Sequence, residues 1–213
     1  MLLAVIGTYL SGCKKNDSAY YDYTNTIQTF KGSALDYLKS KPNTFDSLLL
    51  VLDRFPFLKD SLTNQQVTLF APVNENFVAS VKYLNQYRKA EGRAPIYLKT
   101  ADPDELLYML SKYIIRGNQT ADAYASTIDG ISLNTIGTNY PMHIKAIKSN
   151  ASGFVGGGAT TLEYSDMYDS TIQTNWVTTS TNAINIKTNN ATINILTPLH
   201  NFGFDEFTYR LDQ

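Results

Sequence analysis

The sequence predicts one α+β domain, with N-terminal helices packed on a mostly antiparallel β-sandwich or curved sheet of short strands. Three observations lead there. Between Phe45 and Ile114 apolar residues recur every three or four positions, the spacing of one helix face. From Ile131 onward the period falls to two, the spacing of a half-buried strand. Within the helical region, Val67–Ala71 is an apolar run of strand length, closed by Pro72, which has no N–H to give a ladder. Asn74 then reads as a helix cap, with Glu75 in the first turn and Phe77 facing inward.

A chain of 213 residues, 43% hydrophobic and 17% charged, has the core of one ordinary domain and is too apolar to be disordered. A net charge of −1 gives no electrostatic case for nucleic acid as a partner or for an anionic membrane surface. Asn, Thr and Tyr take the place of much of the usual Lys and Glu, a neutral polar surface common outside the cytoplasm.

In chain order, residues 1–12 are almost wholly apolar and end in Leu10-Ser11-Gly12 before Cys13, the only cysteine, with Lys14 and Lys15 next. A short apolar run closing on small residues before a cysteine resembles a bacterial lipoprotein signal, cleaved before the cysteine whose thiol carries the lipid. The run is too short to span a bilayer as a helix. No Lys or Arg precedes it, and the plain alternative is an apolar N-terminus with a free thiol. On the lipoprotein reading residues 1–12 are a signal peptide and Cys13 is the lipidation site. Residues 13–32 are then a tether, residues 33–213 are the domain, and the membrane is a partner through the anchor. Lys14 differs from the aspartate that retains lipoproteins in the inner membrane, which points to the outer one. A lipidated sole cysteine leaves no disulfide.

Leu35 and Leu38 suggest a short helix ending near Ser40, before Pro42. Asn43 is then the expected cap of a second helix, whose stripe is Phe45, Leu48, Leu49 and Leu52. Phe55-Pro56-Phe57-Leu58 starts a third helical turn, which leads through Asn64 into the strand and corner described above. The helix after the corner ends near Gly92, and residues 93–101 are loop. Asp102-Pro103-Asp104-Glu105 is a helix start, with cap, proline at the first position and acid behind it. Leu106, Leu107, Leu110 and Ile114 are its expected buried face, and Arg116-Gly117-Asn118 its stop. Strands are expected at 131–133, 142–147, about 161–164, 173–178, 183–186 and 192–196. The last two form a hairpin, with Thr188-Asn189-Asn190 as turn material.

Several of these segments together resemble the fasciclin-like domain family. Thr44-Phe45-Asp46-Ser47-Leu48 and residues 68–77 are similar to its first signature, a Thr-Phe-x-x-Leu helix leading to Thr-x-Phe-Ala-Pro-(Thr/Val)-(Asn/Asp)-Glu-x-Phe. The 184–197 hairpin resembles its second, with Asn190 at the turn glycine and Thr197 at an acidic position. Leu110-Ser111-Lys112-Tyr113-Ile114-Ile115-Arg116-Gly117 matches its Leu-x-x-Tyr-His-Val-x-x-Gly segment, except that Ile114 replaces the histidine. The tyrosine–histidine pair is tied to integrin-dependent adhesion in animal members, so its loss argues against that activity, and Tyr113 reads as a packed core residue. What the resemblance implies is a non-enzymatic, envelope-anchored module for adhesion or for binding protein or polysaccharide at the cell surface.

Chemistry-bearing motifs are otherwise sparse. Gly156-Gly157-Gly158 lacks the Gly-Lys-Ser/Thr of a phosphate loop. His143 and His200 have no metal-type partner at i+2 to i+4, so no metal site is read, and no motif calls for a cofactor. No Gly-x-Ser-x-Gly elbow occurs. Tyr164, Asp166, Tyr168, Asp169 and Trp176 form the one acid–aromatic group in an unexpected place. It is read either as a ligand-binding patch, since rings beside polar groups stack on sugars, or as packing. The alternative function, an envelope hydrolase or accessory glycan-processing protein, would use this 163–176 insert.

Overall fold

The computed structural model describes residues 28–150 and 156–213. The expected signal, Cys13 and all but the last residues of the expected tether lie outside them. Among the described residues seven α-helices and seven strands follow in the order α1 (Ala34–Lys39), α2 (Asp46–Leu52), α3 (Pro56–Asn64), β1 (Val67–Ala71), α4 (Asn74–Ala90), α5 (Pro103–Ser111), β2 (Ile114–Arg116), α6 (Ala121–Tyr124), β3 (Ile131–Asn134), β4 (Pro141–Lys148), β5 (Thr160–Asp166), β6 (Val177–Lys187), β7 (Ala191–Leu196) and α7 (Phe207–Leu211).

The strands form one sheet in the order β2-β1-β7-β6-β5-β4-β3, antiparallel except for β1 beside β7. Of the two expected arrangements, the curved sheet is therefore the one present. Its two edges meet: Ile115 bridges Thr135, and Ile136 N–H donates to Ile114 C=O at 2.8 Å. Curvature that nearly closes a sheet removes most of the exposed edge that would otherwise invite pairing with another chain. It also brings together residues from strands that are not neighbours. Phe70 on β1 and Tyr164 on β5 stack face to face, with centroids 3.9 Å apart and planes 4° off parallel. Both are fully buried.

The helix starts obey local chemistry, with two exchanges. Ser33 and Asp36 form a reciprocal capping box on α1. Asp102 Oδ1 accepts from Asp104 N and Glu105 N at 3.0 Å, capping α5 as its spacing predicts. Asn74, expected to cap its own helix, instead accepts from Ser47 N at 2.8 Å and so caps α2 from across the fold. Asn43, the expected cap there, sits before the helix at φ 64°. At α4 the work falls to the fully buried Asn76. Its Oδ1 accepts from Val73 N at 2.7 Å, while its Nδ2 donates to Thr197 C=O and His200 C=O. That single side chain ties the corner after β1 to the chain leaving β7.

Two element assignments change. The helix expected to continue past Ile114 to a stop at Arg116-Gly117-Asn118 ends at Ser111, and Ile114 begins β2, because the residues after Lys112 find a ladder on β1 (Leu69 opposite Ile114). Tertiary pairing outweighs a matching helical period over so short a run. The strand expected at 173–178 begins instead as a 3-10 turn at Gln173–Asn175, and only its last two residues belong to β6, which continues through the next expected strand with register shifts against β7. The aromatic tail packs back as expected, with Phe202, Phe204 and Phe207 buried. Among the described residues no helix is long and apolar enough to cross a membrane.

Candidate functional site

The five sequence-predicted residues start from the end of β5 and the connection to β6, and they do not stay together. Tyr164 points into the sheet's interior, and its O–H donates to the Lys112 carbonyl. Burial holds its phenol well above the usual tyrosine range. Asp166 is also fully buried. Tyr168 is half-buried, and its O–H donates to the Phe204 carbonyl. Asp169 is exposed. Trp176 lies apart, its Nε1–H donating to Ser170 C=O at 2.7 Å and its ring 4.7 Å from that of His143. Backbone geometry causes the divergence: Tyr168 and Asp169 take left-handed φ of 48° and 53°, turning the chain sharply after Asp166.

What the structure gathers around Asp166 was not visible in local sequence. Lys112, at the C-terminal end of α5, is fully buried and ion-pairs with Asp166 Oδ2 and, at 2.5 Å, with Glu206 Oε2. Its ammonium also faces the rings of Tyr108, Tyr140 and Tyr168, 4.5, 5.0 and 5.7 Å from their centroids. Asp166 Oδ1 accepts from Tyr140 O–H at 2.6 Å and from Tyr168 N–H at 3.0 Å. Burial first, then the neighbouring Asp166 carboxylate, pushes the Tyr140 phenol far above its ordinary range. Arg210 closes the outer side, bonded to Glu105 and Glu206 and stacked 3.8 Å from the Tyr108 ring. A buried amine with two carboxylates in a tyrosine box joins α5, β5 and the C-terminal tail. The only sequence signal was a lysine inside an apolar segment.

Tyr113, one residue on, is fully buried as read. Its O–H lies 2.7 Å from His200 Nε2 and accepts from Gly203 N–H at 2.8 Å. Burial lowers the His200 pKa to about 3.

The open concavities are elsewhere. A groove of about 500 Å³ lies between α2 and α4, lined mainly by Leu50, Phe77, Val78, Val81, Tyr97 and Leu98. Tyr97 is exposed at its rim, whereas Tyr83 lines a separate groove with Asn201, Phe202 and Thr208, and Tyr87 is exposed further along α4.

Neither a protein-family model nor a curated protein matches the chain. Among solved structures it is similar to a FAS1 domain pair from the insect cell adhesion molecule fasciclin I. Identity is 14% and the TM-score 0.49, over 81% of this chain and 46% of that one. The chain thus spans about half the length of the protein it matches. A likeness of that extent says nothing about what this chain binds.

Proposed function

We propose that this chain is a non-enzymatic interaction module of the fasciclin-like kind, held at the cell envelope by lipid on Cys13 and serving adhesion or the binding of protein or polysaccharide at the cell surface. The observation that supports it most is the fate of its chemistry-bearing groups. Asp166 and Glu206 are spent on Lys112, Tyr113 on His200 and Gly203, and Tyr164 on a backbone carbonyl. Groups consumed inside the fold build a rigid scaffold, whereas the exposed tyrosines about α4 offer rings with polar tips for contact. The hydrolase alternative has little to work with, since Asp166 is closed off from substrate and Asp169 stands alone at the surface.

The anchor follows from chain chemistry. Two or three acyl chains, at about 0.8 kcal/mol per buried methylene, hold a domain stably where one does not. Two experiments test the reading. Cys13→Ser should move the protein from the membrane to the soluble fraction with its circular dichroism unchanged. A panel of glycans and matrix proteins should yield a binder whose affinity falls when Tyr83 and Tyr87 are replaced by Ala. Retention of Cys13→Ser on membranes would remove the anchor. Failure of the whole panel, with unchanged adhesion in a deletion strain, would remove the interaction role.

A further inference from the structure

We propose that Lys112 and Asp166 join in an intramolecular isopeptide bond, formed by the folded protein itself, with Glu206 as its proton carrier. The reaction needs an amine held against a carboxyl carbon, a way to neutralise both charges, and a donor set for the oxygen that carries charge in the tetrahedral intermediate. All three are in place. The two reacting side chains are fully buried and in direct contact. Their contact gives a proton a direct path from Nζ to Oδ2, and the Tyr108, Tyr140 and Tyr168 rings around the amine exclude the water that would compete as nucleophile.

The two oxygens of Asp166 are already differentiated. Oδ1 accepts from Tyr140 O–H and Tyr168 N–H, so it is positioned to become the oxyanion and then the amide carbonyl. Oδ2 faces the amine and is the leaving oxygen. One proton passes from the Lys112 ammonium to Oδ2, giving a neutral amine and a neutral acid. Nζ attacks Cγ. A second proton goes from nitrogen to Glu206 Oε2 and on to Oδ2, the Cγ–Oδ2 bond breaks, and water leaves. One N–H hydrogen remains on the new amide and Glu206 returns to its carboxylate, so the atoms balance without any oxidant or activating cofactor.

Glu206 is the weaker electrophile of the two carboxylates. Both of its oxygens are engaged by the Arg210 guanidinium, and the donor pair that would hold an oxyanion is on Asp166. The bond would lock the end of α5 to the end of β5, across the near-closed sheet, independently of which ligand the domain binds.

Peptide mapping of the full wild-type chain decides the matter. Trypsin should fail to cut after Lys112 and release a branched species joining residues 100–116 to residues 149–187, lighter than the two peptides together by one water. Glu206→Gln should fold, by circular dichroism, yet show the two peptides separate, with cleavage after Lys112 restored. Separate, unmodified peptides from the wild type would overturn the proposal outright. A branch onto residues 188–210 would overturn the assignment of Asp166, and an unchanged branch in Glu206→Gln would overturn the role of Glu206.

Discussion

Replacing Asn190 with glycine sets two accounts of one residue against each other. As a turn residue between β6 and β7, Asn190 stands where a glycine is compatible, and the substitution should be harmless. In the structure its backbone is not left-handed, so glycine's freedom is not required there. Its side chain is instead a buried junction. Oδ1 accepts from Ala34 N at 3.0 Å, and Nδ2 donates to Leu62 C=O at 3.1 Å and Gln65 C=O at 2.9 Å. Three bonds at about 1 kcal/mol net each give roughly 3 kcal/mol, and glycine's extra freedom in the unfolded chain adds up to about 1 more. For a chain of this size that lowers Tm by about 10 °C. In urea it shifts the midpoint by more than about 1 M with the slope unchanged. The neighbouring Asn189, whose side chain is exposed, is the control, and Asn189→Gly should stay within about 0.5 kcal/mol of wild type. If Asn190→Gly behaves like that control, the junction contributes nothing and the turn account is right.

Other outcomes follow from the same geometry. Gly130→Ala should lose at least about 2 kcal/mol in chemical denaturation, because φ is +79° and the new Cβ would lie 2.5 Å from the Ile144 carbonyl oxygen. Gly92→Ala, at φ +70° with nothing within 4 Å, should lose only about 1 kcal/mol, and equal losses at both sites would refute the steric part of the argument. His200, neutral in the fold with a pKa of about 3 against about 6.5 in the unfolded chain, carries no penalty above pH 6.5. Below it the unfolded state takes up a proton that the folded state does not. Stability relative to His200→Gln should therefore fall by about 2 kcal/mol between pH 6.5 and 5, and a constant difference would mean that the buried ring protonates. Tyr164→Phe keeps the stack on Phe70 but removes the bond to the Lys112 carbonyl, and should lower stability by about 1–2 kcal/mol in a thermal melt.

What the sequence by itself determined is whatever depends on neighbours along the chain. The Asp102-Pro103 start of α5 is chemistry within four residues, and it is read correctly without a fold. The strand–proline–helix corner at 67–77 is likewise local, whereas the alternation read for Ile193 and Ile195 is not kept, since β7 is buried on both faces and Asn194 lies deeper than Ile195. Tertiary structure decided everything in which a residue serves a distant segment. Asn74 caps α2 rather than α4, Asn190 joins α1 to α3, and Ile114 leaves its helical period for a ladder on β1. The acid–aromatic group at 163–176 came apart for the same reason. Spacing along the chain placed Asp166 and Asp169 side by side, but two left-handed residues send one into the interior and leave the other in water. Lys112 and Glu206 meet Asp166 only because a sheet curved almost to closure brings the end of α5, the end of β5 and the tail to one point. A buried charge must find its opposite there, and no local pattern encodes that meeting.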